Sequence, residues 1–192
     1  MLVRPRSAGI TGTGVACCPL SNGLLSLSPG WHAFPIHKAQ RAGVRVGMGT
    51  DVAGGYASSL LSACRHAVVA SKHDHDAKDV DYKDAFWAAT LGGARALGLE
   101  SVLGNFEVGK QFDACKIVCD NGAYDTFPEC IPACTGRLEH DFEKFVNLGD
   151  DRNVAAVWTQ GVLRVDNASK NSKTLVPAVS SMSATAFGVC AD

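Results

Sequence analysis

The sequence predicts an α/β fold that contains part of a parallel sheet and, after it, a smaller β unit. Two short apolar runs, at residues 15–18 and 44–48, have the length and composition of buried strands. Apolar residues recur at helical spacing over residues 36–42 and 59–71. Short apolar strands that alternate with helices indicate a parallel sheet, because parallel neighbours need a crossover connection.

The other predicted elements are one long helix, one loop and a group of short strands. The helix covers residues 82–97, where the adjacent Gly92 and Gly93 weaken it locally. Residues 20–31 are rich in Ser, Asn, Gly and Pro and predict a loop. Beyond Gly104 the pattern changes to strands at 115–119, 154–159 and 161–165, with a short helix at 140–147. Gln160 and Gly161 predict a tight hairpin between the last two strands.

Composition and charge indicate a folded chain with neither nucleic acid nor membrane as a partner. Of the 192 residues, 46% are hydrophobic and 19% are charged, which leaves enough apolar surface to bury a core. The formal net charge is −1 and the cations form no basic stripe, so a phosphate-binding footprint is not expected. No apolar run approaches the roughly 20 residues that span a bilayer, and no secretory signal pattern is found. A cytoplasmic location is therefore expected.

The eight cysteines are interpreted as reduced thiols, because the fold signals are those of an intracellular α/β protein. Two pairs, Cys115 with Cys119 and Cys130 with Cys134, have a spacing that structural zinc sites permit. Cys115 and Cys119 flank a strand, however, and positions four apart on a strand lie about 13 Å from each other. One zinc ion could not bind both, so small buried or half-buried thiols are expected. A cysteine-based metal module remains the alternative.

One aspartate, Asp51, follows the second strand after Gly49 and Thr50. In a (β/α)₈ barrel, functional groups project from the C-terminal ends of the strands. A carboxylate on a rigid strand end beside flexible glycines suits a metal ligand or a proton-transfer group. The spacing alone leaves a second interpretation open, in which Asp51 caps the next helix or orders the turn.

Five ordered blocks of the sequence resemble the guanine deaminases of the amidohydrolase superfamily, over about residues 14–165. Residues 46–55, VGMGTDVAGG, are similar to the strand-8 motif, and residues 18–22, CPLSN, to the block after strand 7. Residues 89–99 resemble the helix that follows, and residues 104–114 the start of a C-terminal β unit. Residues 148–153, LGDDRN, resemble a late block of the same family.

The resemblance implies the C-terminal part of an amidohydrolase-type (β/α)₈ TIM barrel, with strands 7–8 and flanking helices, plus a small β-sandwich unit. Residues 1–14 are then a divergent leader that is expected to be disordered, and residues 15–103 are the partial metal-dependent hydrolase barrel. Residues 104–166 form the small β unit with a short helix, and residues 167–192 form a flexible tail. The full-length family is expected to assemble as a homodimer.

The implied activity is the zinc-dependent hydrolysis of guanine to xanthine and ammonia, in purine catabolism or salvage. A water bound to Zn²⁺ has a lowered pKa and attacks C2 of guanine, after which ammonia leaves the tetrahedral intermediate. Asp51 matches the strand-8 aspartate, so the resemblance makes it both a metal ligand and the catalytic residue that takes the proton of the water. Related purines and triazines, used by close relatives of the family, are the alternative substrates.

The other site residues of the family precede the matched region: a His-x-His pair, two single histidines, a glutamate and an arginine. His73-Asp74-His75 has the form of the pair but lies after Asp51, between two predicted helices, so solvated surface histidines are expected there. Cys17 replaces a family histidine, whose hydrogen bonds it cannot make. The expectation is a truncated chain, inactive alone, with one ligand for zinc. The alternative is a non-catalytic C-terminal fragment that acts as a subunit-binding module.

Overall fold

The computed structural model describes residues 13–25, 33–74, 80–119 and 137–167. The chain divides into two compact units between Gly104 and Asn105. Residues 1–12 of the expected leader and residues 168–192 of the expected tail lie outside the described residues.

The described part of the first unit alternates strands and helices in the order that the sequence predicts, with one added helix and one helix divided in two. Strands β1 and β2 pair in parallel, with Gly14 opposite Arg45 and Cys17 opposite Met48, so the predicted parallel pairing is confirmed. The elements are β1 (Gly14–Cys17), α1 (Pro19–Leu25), α2 (Ile36–Arg41), β2 (Arg45–Met48), α3 (Leu60–His73), α4 (Tyr82–Ala89) and α5 (Leu91–Leu97).

Helix α1 corrects the prediction of a loop from residue 20, at least as far as Leu25. Pro19 occupies the first helical position, where its fixed φ suits a helix and its missing N–H costs nothing. Leu20 is fully buried, and the Ser21 hydroxyl donates to the Cys18 carbonyl oxygen at 3.1 Å. Burial of this turn therefore outweighs the turn-forming tendency of the residues that follow, and residues 26–31 of the predicted loop lie outside the described residues.

The predicted long helix at 82–97 is two helices, α4 and α5, which are separated at Thr90. The Thr90 backbone leaves the helical region, with φ −118° and ψ −97°, and its hydroxyl donates to the Phe86 carbonyl oxygen at 2.9 Å. Helix α4 begins at a complete capping box, in which the Asp81 carboxylate accepts from the Lys83 and Asp84 N–H groups. The side-chain bond at Thr90 competes with the helical ladder and ends α4 before the two glycines are reached.

Helix α5 lies against the strands with almost no space between the backbones. A Cβ added at Gly92 would lie 2.8 Å from the Val46 carbonyl oxygen, and one added at Gly47 would lie 2.9 Å from the Gly93 Cα. A Cβ at Gly14 would overlap the Ala96 carbonyl oxygen. Glycine is therefore required on both sides of this contact, because a side chain on either side would push α5 away from β1 and β2.

The buried core of the first unit lies on the sheet. Cys17 from β1 and Val46 from β2 are packed with Ile36 and Val80, and each of the four is at most 3% exposed. Partly buried side chains surround this cluster, namely Phe34, Ala39, Val44 and Met48. Apolar burial in this cluster fixes the two strands side by side, so that their C-terminal ends lie at one edge.

The described part of the second unit is a three-stranded antiparallel sheet with one helix and one 3₁₀ turn. The sheet has the order β3-β4-β5, and Gln160 and Gly161 form the predicted hairpin between β4 and β5 with φ values of +53° and +75°. No helix among the described residues is long and apolar enough to cross a membrane. The elements are β3 (Ala114–Ile117), α6 (Arg137–Leu148), the 3₁₀ turn (Asp151–Asn153), β4 (Val154–Thr159) and β5 (Val162–Asp166).

The neighbouring glycines of α5 are expected to respond oppositely to alanine. Gly92→Ala should lower the free energy of unfolding by about 2 kcal/mol, because the new methyl group would meet the Val46 carbonyl and, at 2.7 Å, the Trp87 ring. Gly93→Ala is the matched control: its nearest neighbour would be the Ala88 carbonyl oxygen at 3.5 Å. Alanine should there be neutral or stabilising by up to about 1 kcal/mol. Urea unfolding measures both variants, and equal losses of stability would contradict this packing.

Candidate functional site

Asp51 lies just beyond the C-terminal end of β2, where the sequence predicts it. Cys17, the last residue of β1, is opposite Met48, and the Gly49 N–H donates to the Cys17 carbonyl oxygen at 2.8 Å. The two parallel strands therefore end together, and Asp51 is exposed beside them. This is the edge at which parallel α/β sheets carry their ligands and catalytic groups.

A tight turn of glycines presents Asp51. Its backbone is in the left-handed region, with φ +47°, a conformation that aspartate adopts more readily than most residues. The Gly55 N–H donates to the Asp51 carbonyl oxygen and closes the turn. A Cβ at Gly54 would lie 2.9 Å from the Asp51 carboxylate, and one at Gly55 would overlap the Thr50 carbonyl oxygen. Side chains at positions 54 and 55 would thus displace the carboxylate or open the turn.

Of the second interpretation, the part in which Asp51 caps the next helix is wrong, whereas the part in which Asp51 orders the turn agrees with the structure. Helix α3 has Ser59 as its N-cap, eight positions further along the chain. Asp51 orders the turn through its backbone carbonyl, which accepts the Gly55 N–H, and this leaves the exposed carboxylate at the strand edge.

Two adjacent cysteines at the end of β1 have different environments. Cys17 is packed in the apolar core, and burial is the main reason that its thiol pKa is raised to about 12. Position 17 therefore contributes an apolar contact and no polar group. The Cys18 thiol lies 2.9 Å from the place of a Cβ on Gly49. Burial, and secondly the negative charge of Asp51, raise the pKa of the Cys18 thiol, as expected for a thiol beside that carboxylate.

The described histidines form no metal-binding group with Asp51. His73 is exposed at the end of α3, and the Asp74 carboxylate accepts the Ala33 N–H at 3.0 Å, while His75 lies outside the described residues. His37 contacts the Asp84 carboxylate at 3.2 Å and ties α2 to α4. His66 contacts the Tyr56 hydroxyl at 3.2 Å, and His140 lies in α6 of the second unit; His32 is outside the described residues.

The cysteine pairs of the second unit give no support to a metal module. Cys115 lies in β3, as predicted, but is exposed, whereas a buried or half-buried thiol was expected. Cys119 is half-buried, and its thiol contacts the Asp141 carbonyl oxygen at 3.9 Å. Cys130 and Cys134 lie outside the described residues. Across the ranges that the structure describes, no three His, Cys, Asp or Glu side chains are grouped so that they could hold a metal ion. Asp51 therefore does not have, within these ranges, the three or more ligands of a catalytic zinc site.

Sequence reasoning missed that the block at residues 148–153 is structural. The side chain of Asn153 is fully buried, donates to the Val118 carbonyl oxygen at 2.8 Å and accepts from the Asp150 N–H at 3.0 Å. The Asp150 carboxylate in turn accepts the Arg152 N–H at 2.9 Å. These bonds join the end of α6 to the edge of β3 and β4. The signal was the Asp-x-x-Asn spacing, which is a capping pattern.

A second family-like block, at residues 104–114, is structural as well. The Lys110 ammonium donates to Asn105 at 2.6 Å and pairs with Glu107 at 3.0 Å. The Asp113 carboxylate accepts the Gln160 N–H at 2.7 Å and so fixes the hairpin. These two blocks therefore hold the second unit together, whereas the block that carries Asp51 places a carboxylate at the strand edge.

Comparison with known proteins identifies the family of this chain. The amidohydrolase family model matches residues 6–164. The chain belongs to the amidohydrolase family. It is 42% identical over 157 residues to guanine deaminase of Mus musculus, a match that covers 78% of this chain and 33% of the mouse protein. This amidohydrolase chain thus spans about a third of the length of the curated relatives that it matches.

Solved structures of other amidohydrolases are similar to it in fold. One is guanine deaminase from C. acetobutylicum with guanine bound in its active site, at a TM-score of 0.59 and 28% identity, covering 76% of this chain and 32% of that one. Another is an adenosine deaminase from Xanthomonas campestris with bound zinc, at a TM-score of 0.59 and 32% identity, covering 78% and 31%. Metal dependence is general in the family, and one similar structure holds zinc.

Removal of the Asp51 charge is expected to make Cys18 more reactive. In Asp51→Asn the Cys18 pKa should fall, because a neighbouring negative charge no longer disfavours the thiolate, and alkylation by iodoacetamide at pH 7.5 should become faster. Cys64 is the internal control, since burial raises its pKa to about 11 and leaves it almost wholly protonated at that pH. Mass spectrometry of the labelled peptides gives both rates. An unchanged Cys18 rate would contradict the placement of the thiol beside the carboxylate.

Proposed function

We propose that this chain supplies the strand-8 end of a guanine deaminase site, where guanine is hydrolysed to xanthine and ammonia. The supporting observation is the position of Asp51, beyond β2 at the shared edge of two parallel strands and on a turn in which a side chain at position 55 would overlap the Thr50 carbonyl oxygen. The 42% identity to a guanine deaminase over most of the chain supports the substrate. Purine catabolism or salvage is the process to which this reaction belongs.

Asp51 would act in proton transfer. In hydrolytic deamination, the oxygen of a water forms a bond to C2 of guanine and the bond from C2 to its amino nitrogen breaks. The water loses a proton as it attacks, and the nitrogen gains one as it leaves as ammonia. A carboxylate that is exposed at the strand edge and held by its backbone is suited to accept the first proton and return it to the leaving group.

Asp51 would also contribute one oxygen ligand to a zinc ion, as the family resemblance implies. The described residues do not fit a complete zinc site, because no further pair of His, Cys, Asp or Glu side chains joins Asp51 there. No step is therefore assigned to the metal. In the mouse relative, about two thirds of the protein lies outside the matched region. Chain segments equivalent to that part would supply the remaining ligands.

In this proposal β1 and β2 are strands 7 and 8 of a (β/α)₈ barrel, with α1 to α5 around them. The second unit, with its sheet β3-β4-β5, is the small β-sandwich unit. We keep the proposed boundary between residues 103 and 104, one residue before the division into compact units, with the leader before β1 (Gly14–Cys17) and the tail after β5. We further propose a homodimer, as the family resemblance implies, and a cytoplasmic location, as expected from the sequence.

A second candidate is a related aminohydrolase that acts on another purine. It is favoured by the similarity to an adenosine deaminase structure at 32% identity. Because Asp51 serves proton transfer in either case, substrate assays with guanine and adenosine side by side distinguish the two. The non-catalytic alternative, a subunit-binding module, predicts no turnover of either substrate in any assembly.

The chain of 192 residues on its own is expected to hold well under 0.1 zinc per polypeptide and to show no guanine turnover. One carboxylate is not enough for a catalytic zinc, which takes three or more protein ligands. Elemental analysis after gel filtration in micromolar zinc, together with xanthine detection, provides the measurement. Stoichiometric zinc with guanine turnover would show that the ligands lie in this chain after all.

The proposed role of Asp51 is tested in a chimera, in which residues 14–165 replace the matched region of mouse guanine deaminase. The chimera should turn over guanine in preference to adenosine, and Asp51→Asn should reduce kcat by about 10³-fold, because the amide cannot accept the proton. Glu143→Gln, an equivalent change at an exposed residue of α6, is the control and should leave kcat unchanged. A chimera that folds, binds zinc and retains its kcat in Asp51→Asn would refute the role.

A further inference from the structure

The connection from the Asp51 turn to α3 lacks a side-chain cap. Ser59 is the N-cap of α3 and has an extended backbone, but its hydroxyl makes no capping hydrogen bond to the helix. Such a bond usually contributes about 1 kcal/mol and fixes the direction in which the chain enters a helix. The entry of this chain into α3 is therefore not fixed by a capping bond from Ser59.

Tyr56 and His66 provide a direct contact between the turn and α3. The Tyr56 hydroxyl lies 3.2 Å from Nδ1 of His66, and the two rings meet edge to face with centroids 5.9 Å apart. The Tyr56 side chain is 61% exposed, so this contact is not imposed by general burial. Burial of His66 lowers the pKa of its imidazole, which favours the neutral ring with one nitrogen able to accept the phenolic proton.

The helix that carries His66 is itself firmly held. The Cys64 thiol donates to the Ala85 carbonyl oxygen of α4 at 3.4 Å, and the Ser71 hydroxyl donates to the Val80 carbonyl oxygen at 3.2 Å. Cys64 and Ser71 are both buried. Helix α3 is thus a rigid support, and a contact from the turn to its middle restrains the turn.

We propose that the Tyr56–His66 contact is a strut that positions the Asp51 carboxylate, and that Tyr56 and His66 are positioning residues. Tyr56 follows Gly55, whose N–H closes the turn on the Asp51 carbonyl oxygen. Movement of Tyr56 away from α3 would pull on this bond directly. The functional meaning of the strut rests on the proposed role of Asp51, whereas its existence can be tested in the chain itself.

The test is amide hydrogen exchange on the full 192-residue chain, resolved by NMR, for Tyr56→Phe, His66→Phe and the double variant. Phenylalanine retains an aromatic ring at either position and removes the hydrogen bond. The Gly55 amide should exchange about fivefold faster in each single variant, which corresponds to loss of one ordinary hydrogen bond of about 1 kcal/mol. The Gly49 amide, bonded to the Cys17 carbonyl oxygen, is the internal control and should not change.

The double variant separates a shared contact from two independent effects. If the two side chains act through one bond, Gly55 in the double variant exchanges no faster than in the faster single variant. Additive increases, an unchanged Gly55 rate, or equal increases at Gly55 and Gly49 would each overturn the strut. The last result would show general loosening of the fold.

The effect on Asp51 is measured by Cys18 alkylation in the same variants. Because the negative charge of Asp51 contributes, after burial, to the raised pKa of the Cys18 thiol, a displaced carboxylate should raise the alkylation rate towards that of Asp51→Asn. A Cys18 rate that stays at the wild-type value while Gly55 exchange rises would overturn the positioning of Asp51 by the strut. Both readouts are independent of catalysis, so the strut and the proposed deaminase function can fail separately.

Discussion

The contact between the backbones of α5 and β2 is the constraint on which the placement of Asp51 depends. A side chain at Gly92 on the helix or at Gly47 on the strand would overlap the facing backbone. Close contact of this kind fixes the position and direction of β2 relative to α5, because a tightly packed interior resists small displacements. The strand in turn determines where the chain emerges at its C-terminal end, and Asp51 is the third residue after that point.

The parallel pairing of β1 and β2 brings further residues to the edge at which Asp51 lies. Because β1 and β2 are in register from Gly14 to Cys17, both strands end at the same edge, and the residues that follow them become neighbours. Cys18 and Asp51 lie at this same edge although 33 positions separate them, and burial, followed by the negative charge of Asp51, raises the pKa of the Cys18 thiol. The glycines after Asp51 then decide its orientation, since they allow the turn to close without side-chain overlap.

The sequence predicted most of the elements but not all of their boundaries. The strands were recognisable because short β-branched and apolar runs were bounded by Gly and Pro, and Asp51 was recognisable because it follows such a run directly. Helix α1 was missed because the burial of Leu20 outweighs the local turn tendency of the residues after it. The division at Thr90 was missed because it depends on a hydrogen bond from the Thr90 hydroxyl to the Phe86 carbonyl oxygen. The spacing of apolar residues in the sequence does not indicate such a bond.

The chemistry of the site could be predicted only in part. Asp51 stood out by position and by resemblance to a family, whereas the Tyr56–His66 contact joins residues ten apart across an irregular segment and has no sequence signature. Nor could the sequence separate structural blocks from functional ones. Asn153 and Asp113 lie in blocks as family-like as that of Asp51, yet their side chains are used in hydrogen bonds that hold the second unit together.

The most direct test of the central claim is a crystal structure of the chimera, with residues 14–165 of this chain, in complex with guanine. The claim is that the strand edge presents the Asp51 carboxylate for proton transfer. A carboxylate oxygen of Asp51 should then lie within about 3.2 Å of a water that faces C2 of the purine. If guanine is bound while that carboxylate points away and has neither water nor purine within such reach, the claim is contradicted.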